Sequence, residues 1–299
     1  MNGIINVYKE QGFTSHDVVA KLRGILHTKK IGHTGTLDPA AVGVLPVCVG
    51  RATKVCSLLT DKDKTYQAVV KLGVMTDTQD MTGTILRECP VDVTEEKLRE
   101  TAASFLGQIE QIPPMYSAVK VGGKKLYELA RQGKEVERKP RKVTIHELQL
   151  SAADLSAQEF TMEVTCSKGT YIRTLCHDMG EKLGCGAAMK HLVRTRVGDF
   201  LQEDALTLDE IEEWVKTEGT KGLLRPVDSL FLDNPPCIVE DSSLRFLQNG
   251  NPVKPSSCSY RTPEENEHVR MYDEAGDFYG IYCYQSSDRR YHVVKMFHD

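Results

Sequence analysis

The sequence predicts an α+β protein: a mixed α/β domain that carries an inserted lobe, followed by a small β-rich domain. Three observations carry that expectation. Over the first 230 residues, segments with a helical apolar period interleave with segments that alternate every second residue. Residues 108–142 keep neither period, being turn-rich at first (QIPPMYSAVKVGG) and then strongly basic. Beyond the Pro235-Pro236 pair, which can continue neither a helix nor a central strand, only short alternating runs remain. A chain of 299 residues suits one large and one small domain, divided here as 1–230 and 231–299, with 108–142 inserted in the first.

The elements follow in order. Ser15 and the HDVVAKLRGIL after it read as an N-capped helix, with Val18, Val19, Leu22, Ile25 and Leu26 on one face. The Gly/Pro-rich stretch 32–50 is expected to be a loop. Residues 65–73 alternate Tyr66, Ala68, Val70 and Leu72 on one side and predict a strand. In 94–107 a Thr cap, apolar Leu98, Ala102, Phe105 and Leu106, and a closing Gly107 predict a helix. Residues 143–150 and 159–166 alternate again. YIRTLCHDMGEKLG is amphipathic and ends on Gly184, and 207–216 is a further helix. PVDSLFLDNPPC, 226–237, reads as a linker, and HVRMYDE, FYGIYCYQ and YHVVKMF read as the strands of the small domain.

Composition narrows the function. Hydrophobic content of 40% and charged content of 27% allow a sizeable core. No run of about 18 apolar residues predicts a membrane span, and the N-terminus lacks the pattern of a signal peptide, so a cytoplasmic protein is expected. The nine cysteines form no CxxC pair and read as reduced, mostly buried thiols rather than a disulfide framework or a metal site. Net charge is −4, yet 124–142 carries 8 basic and 3 acidic side chains. Such a strip serves either as a solvated face or as a phosphate-binding surface.

There is no GxxxxGK[ST], no GxGxxG after a strand, no HExxH and no GxSxG, so neither a cofactor nor a metal is expected. What stands out is GHTGTLDP, with Asp38 the single carboxylate in a glycine-rich, apolar turn. Gly32 and Gly35 let a ligand approach the backbone closely, and Pro39 biases Asp38 toward an extended conformation. The residues alone leave two readings open: a turn aspartate making an Asx hydrogen bond, or a carboxylate presented to a ligand.

GHTGTLDP, Lys64-Thr65-Tyr66, SKGTYIRTL (167–175) and HLVRTRVG (191–198) together resemble, in order and spacing, four signature stretches of the TruB family. These are bacterial tRNA pseudouridine synthases acting on the T-loop uridine at tRNA position 55. The likeness spans about residues 1–230, and IPPMYSAVKVGGKKLYELARQG resembles the family's RNA-gripping insertion. One departure is visible: Lys9-Glu10 stands where the family usually has Lys-Pro.

The resemblance implies a pseudouridine-synthase fold, a largely antiparallel mixed central sheet flanked by helices, with a small PUA-like domain at 231–299. It implies an isomerase that works on tRNA without cofactor or metal, with no obligate protein partner, as a monomer. Asp38 aligns with the essential aspartate, and Arg173 with the arginine expected to keep that carboxylate ionised by lowering its pKa. Tyr66 aligns with the tyrosine that stacks on the target base and handles a proton. Tyr171 and Leu192 resemble walls of the same pocket, and His33 resembles the histidine that lies beside extruded nucleotides. Lys9 and Lys54, with Lys124, Lys125, Arg131, Lys134 and Arg141 of the basic strip, are expected to meet phosphates. Two alternatives stay open: a guide-RNA-dependent, dyskerin-like synthase, and a tRNA-folding chaperone or binding module.

Overall fold

The computed structural model describes residues 1–298; Asp299, the last residue of the expected 231–299 domain, lies outside them. A nine-stranded sheet organises the chain up to residue 201. Its main path runs Gly3–Lys9, Val42–Val49, Ala187–Val197, Lys64–Leu72, Glu159–Cys166, Arg141–Asp154 and Gly107–Gln111. Ile31–His33 adds onto 42–49, and Phe200–Leu201 onto 187–197. Every pairing is antiparallel except 42–49 with 187–197, where Val42 and Gly43 face Val193 and Arg194 in parallel. Gly43 permits that close approach. Its φ is +108°, and a Cβ there would collide with the Arg194 backbone.

Residues 42–49, expected as part of a loop, are a strand buried along its whole length. VGVLPVCV has no two-residue alternation because both its faces are covered. Leu45, Val47 and Val49 pack against Val18, Val19, Leu22, Leu208 and Ile211, from the helices Ser15–Ile25 and Leu208–Glu218. Val44 and Cys48 face an opposite cluster that includes Val55, Leu59 and Val197. Pro46 has no N–H to give, and it sits just past the last paired residue of the short strand 31–33, His33 opposite Val47. The Thr34 N–H and hydroxyl instead both donate to the Pro46 carbonyl, at 3.2 and 3.0 Å.

The helix at 15–25 forms as expected, but Thr14 caps it, not Ser15. Asp17 sits three residues on and accepts a hydrogen bond from the Thr14 N–H, which completes a capping box around Thr14. Ser15 is free for a different task, described below. The helix Glu95–Ala103 stops before Phe105 and Leu106, so its buried face ends at Ala102 and Leu106 stays exposed. The helix Ile172–Leu183 ends on left-handed Gly184 at φ 83° and covers the half of the sheet formed by 64–72, 159–166 and 187–197.

The expected insertion is narrower than 108–142. Gly107–Gln111 pairs with Arg141–Ile145 as the sheet's edge strand, so only the residues between these strands stand outside the sheet. They hold a small hairpin, Lys120–Val121 with Lys124–Lys125, and a helical turn, Leu126–Ala130. Residues 226–237 are packed rather than free. Val227 is buried in a 3-10 turn, and Pro236 opens the edge strand Pro236–Ile238, the position where a proline costs the ladder least. That strand, His268–Tyr272, Phe278–Gln285 and Arg290–Met296 form a separate four-stranded sheet. Ile281 and Phe297 from this part pack into the same cluster as Ile4, Val44 and Val197 of the large sheet.

Candidate active site

Asp38 lies on the short connection between strands 31–33 and 42–49, and nearly every turn of that connection is fastened. Besides the Thr34 contacts to Pro46, the Leu37 N–H donates to Ser15 Oγ at 3.0 Å and the Ala41 N–H to the Asp38 carbonyl at 3.0 Å. The Gly12 N–H donates to the Pro39 carbonyl at 2.9 Å. The Lys9 ammonium is fully buried and donates to the carbonyls of Phe13 (2.7 Å), Glu10 (3.1 Å) and Pro39 (3.4 Å). Lys9 therefore holds the 10–13 turn and the Asp38 connection together. This corrects the expectation that Lys9 meets phosphate: it has no exposed surface, and burial lowers its pKa to about 8.

Arg173 projects from the first turn of helix 172–183 and is buried. Its Nε lies 3.1 Å from Asp38 Oδ2, and its Nη2 donates to Asp38 Oδ1 at 3.4 Å, a two-pronged pairing. The rest of the fork is also committed. Nη2 donates to the Tyr116 carbonyl at 2.8 Å and Nη1 to the Thr78 carbonyl at 3.2 Å, while Nη1 lies 3.5 Å from Asp80 Oδ2. Asp80 is itself held by the hydroxyls of Thr78 and Thr82 and the Thr82 N–H. The guanidinium is thus clamped between two carboxylates, one structural and one facing the cavity.

The electrostatic outcome differs from expectation in one respect. Burial pushes the Asp38 carboxyl above the ordinary carboxylate range; Arg173 pulls it back and Asp80 pushes it up again, but burial wins. The side chain nevertheless keeps 39% of its surface open on the cavity side, where water supports the ionised form. Arg173 limits the rise without reversing it.

Tyr66 and Leu192 sit on neighbouring central strands and face a cavity of about 550 Å³ whose lining also includes Leu37, Asp38, Tyr171, Ile172 and Arg173. Arg194 stands directly across from Tyr66 in the strand pairing and is 1% exposed. Its Nε donates to the Val44 carbonyl at 2.7 Å and its Nη2 to the Gly35 carbonyl at 3.4 Å, which leaves its charge beside the Tyr66 phenol. Burial raises the Tyr66 pKa, so the phenol is neutral. The chamber offers an ionisable carboxylate with a fixed partner, a neutral phenol, and apolar side chains at Leu37, Ile172 and Leu192.

Of the residues singled out from the sequence, Asp38, Arg173, Tyr66, Tyr171, Leu192 and Arg141 line this one cavity. His33 does not line it. It stands edge-on to His16, with ring centroids 5.2 Å apart, and burial lowers its pKa toward the neutral form. Lys54 is exposed but donates to the Met296 carbonyl at 3.2 Å, which ties it to the C-terminal sheet rather than the cavity. Lys124 and Lys134 are exposed on the lobe, and Lys125 and Arg131 both lie over the Tyr127 ring, 5.4 Å from its centroid. Sequence reasoning does not reach Asp80 or Ser15. TDTQDMTG (76–83) reads only as a polar turn, and nothing local says that its second aspartate turns inward; the positive φ of Gln79, 64°, is the structural trace of that turn. Among the described residues, no group of three or more His, Cys, Asp or Glu side chains is arranged to hold a metal ion, and no helix is long and apolar enough to cross a membrane.

The family model for the N-terminal domain of TruB-family pseudouridylate synthases matches residues 23–172, and that for the tRNA pseudouridylate synthase B C-terminal domain matches 173–232. The chain belongs to the TruB family. It is 55% identical to tRNA pseudouridine synthase B of Lachnoclostridium phytofermentans, over 99% of this chain and 100% of that protein. It is 47% identical to the protein of the same name from Alkaliphilus oremlandii, over 99% of this chain and 97% of that one. Among solved structures, a chain of a Cbf5-Nop10-Gar1 complex aligns with TM-score 0.71 at 27% identity, covering 99% of this chain and 84% of that chain. The TruB-family match takes in every residue that lines the cavity.

Proposed function

We propose that this protein isomerises uridine to pseudouridine in tRNA, at position 55 of the T loop, with Asp38 as the essential carboxylate. The observation that carries the reading is the Asp38–Arg173 pair in a cavity of about 550 Å³ lined also by Tyr66 and Leu192, in a TruB-family chain. The target uridine, normally stacked within its loop, is turned out into the cavity; unstacking costs a few kcal/mol, which stacking on Tyr66 and burial against Leu192 offset. The N1–C1′ bond breaks and a C5–C1′ bond forms. The C5 proton is lost and N1 takes one up, so the product is an isomer and no oxidant or energy source is consumed. Asp38 acts ionised, either by adding to the nucleoside or by taking the ribose C2′ proton. Arg173 fixes its two oxygens, and Tyr66, neutral and across the strand pair from Arg194, relays a proton at the base.

We assign residues 1–230 to catalysis and 231–299 to a PUA-like domain, with the lobe around Lys124, Lys125, Arg131 and Lys134 and the cavity mouth at Arg141 gripping phosphates. The protein works as a monomer in the cytoplasm. The test is incubation with an unmodified tRNA transcript, with no guide RNA and no other protein, followed by mapping of pseudouridine. A single new pseudouridine in the T loop is expected. Its absence refutes the reading, and activity only with an added guide RNA favours the dyskerin-like alternative. RNA folding assistance that survives Asp38→Asn unchanged, without isomerisation by the wild type, favours the chaperone.

A further inference from the structure

The serine and threonine hydroxyls that line the cavity are almost all engaged by the protein or by solvent. Thr60 Oγ1 donates to the Cys56 carbonyl at 2.7 Å and Thr170 Oγ1 to the Ser167 carbonyl at 2.9 Å, while Ser167 Oγ accepts the Thr144 N–H at 2.9 Å. Thr36 is exposed to solvent. Ser117 is the exception. It lines the cavity and is only 5% exposed, and its Oγ is buried with no hydrogen-bond partner.

Leaving a buried hydroxyl unpaired is unfavourable, and native proteins rarely do so without a reason. Loose backbone does not explain it. The preceding carbonyl, of Tyr116, is gripped by Arg173 at 2.8 Å. The Ser117 carbonyl accepts the Tyr127 N–H at 3.1 Å, and the Val119 carbonyl accepts the Leu126 N–H at 2.8 Å. The segment is pinned on one side to the arginine that holds Asp38 and on the other to the base of the lobe. The backbone at Ser117 is therefore fixed beside the arginine that holds Asp38, and a turn about χ1 between staggered wells carries the hydroxyl from its buried position toward the cavity.

We propose that Ser117 is a substrate-binding residue whose hydroxyl hydrogen-bonds the imide edge of the extruded uracil, the two ring carbonyls and the N–H between them. This rests on the pseudouridine-synthase reading above. The ring faces are served by Tyr66, Leu192, Ile172 and Leu37, none of which can satisfy that polar edge except through the Tyr66 phenol. The imide edge also suits a hydroxyl in particular. A half-turn of the ring about the axis through its imide nitrogen and the opposite carbon exchanges N1 with C5, and one carbonyl with the other. The imide N–H stays where it was. A single group that both donates and accepts can therefore keep hold of the base while the glycosidic bond is exchanged.

The test is Ser117→Ala, assayed on unmodified tRNA for kcat/KM, for the Kd of tRNA and for thermal unfolding without RNA. Loss of one neutral hydrogen bond to the base is expected to lower kcat/KM about 3- to 10-fold. The Kd of tRNA, set mainly by phosphates, should stay within about two-fold. The melting temperature of the free protein should be equal or higher, because the variant removes a polar atom that has no partner. An unchanged kcat/KM, or a melting temperature that falls together with activity, overturns the proposal. Failure of the wild type to form pseudouridine in any tRNA would instead strike at the function itself, and is seen in the same experiment before any variant is compared.

Discussion

Replacing Arg173 by lysine keeps the charge and removes the fork. The guanidinium reaches Asp38 at 3.1 and 3.4 Å, the carbonyls of Tyr116 and Thr78 at 2.8 and 3.2 Å, and Asp80 at 3.5 Å. One ammonium nitrogen cannot span two carboxylates and two carbonyls on different sides. The variant gives up at least one charge-assisted hydrogen bond to the reacting carboxylate, about 1.5–3 kcal/mol, and leaves the Tyr116 carbonyl short of a donor, about 1 kcal/mol more. If most of that loss falls on the transition state, kcat drops roughly 10²–10³-fold. The pH profile supplies a second reading. In the proposed reaction Asp38 acts ionised, so activity is expected above its pKa and lost as pH falls through it. Burial already places that pKa above the ordinary carboxylate range with Arg173 holding it down, so a weaker partner moves the acid limb of kcat/KM to higher pH. The assay is release of tritium from tRNA carrying 5-tritiated uridine, from about pH 5 to 9. Activity within about five-fold of wild type, or an acid limb that does not move, would refute the reasoning.

Three further outcomes are expected. Asp38→Asn abolishes isomerisation while leaving the Kd of tRNA nearly unchanged. Its melting temperature at neutral pH is equal to or above that of wild type, because a carboxyl with a raised pKa costs stability when ionised; the difference closes as pH falls through the ordinary carboxylate range. Ser15→Ala strips the Leu37 N–H of its hydroxyl acceptor beneath the Asp38 connection and lowers unfolding stability by about 1–3 kcal/mol in urea titration, whereas Thr14→Ala should cost about 1 kcal/mol through the cap alone. Arg141→Ala with Lys142→Ala, both at the cavity mouth, makes the plot of log K against log salt shallower by about 0.7–0.9 for each phosphate no longer neutralised, and leaves single-turnover chemistry at saturating tRNA near wild type.

What the sequence discloses depends on how local the cause is. The alternation of Tyr66, Ala68, Val70 and Leu72 follows from one face of a strand meeting a core, and the structure buries those four side chains. The helix closed by Gly184 is equally local. Strand 42–49 is illegible because burial on both faces erases the period, and its glycine and proline mimic a loop. The motif stretches draw attention to Asp38, Arg173 and Tyr66, which meet at one cavity, but they cannot show that burial outweighs Arg173 in setting the Asp38 pKa. Nor can they show that Lys9 is sealed beneath the turn while Arg141 stands at the mouth. Both are basic residues beside polar neighbours, and only packing separates a cation that fastens backbone from one that meets solvent. Asp80 and Ser117 belong to turns whose directions are set by Arg173, about ninety and fifty-five residues further along the chain.

Ile281 and Phe297 lodge among Ile4, Val44, Cys48 and Val197, so the interior of the catalytic sheet is finished by side chains from nearly the far terminus. A version of the protein cut after the 227–231 turn would leave that interior open to water along the very strand that leads away from Asp38. A deletion that asks whether the last sixty-odd residues bind RNA would therefore confound two losses, and point substitutions on the outer surface of their sheet are the cleaner instrument.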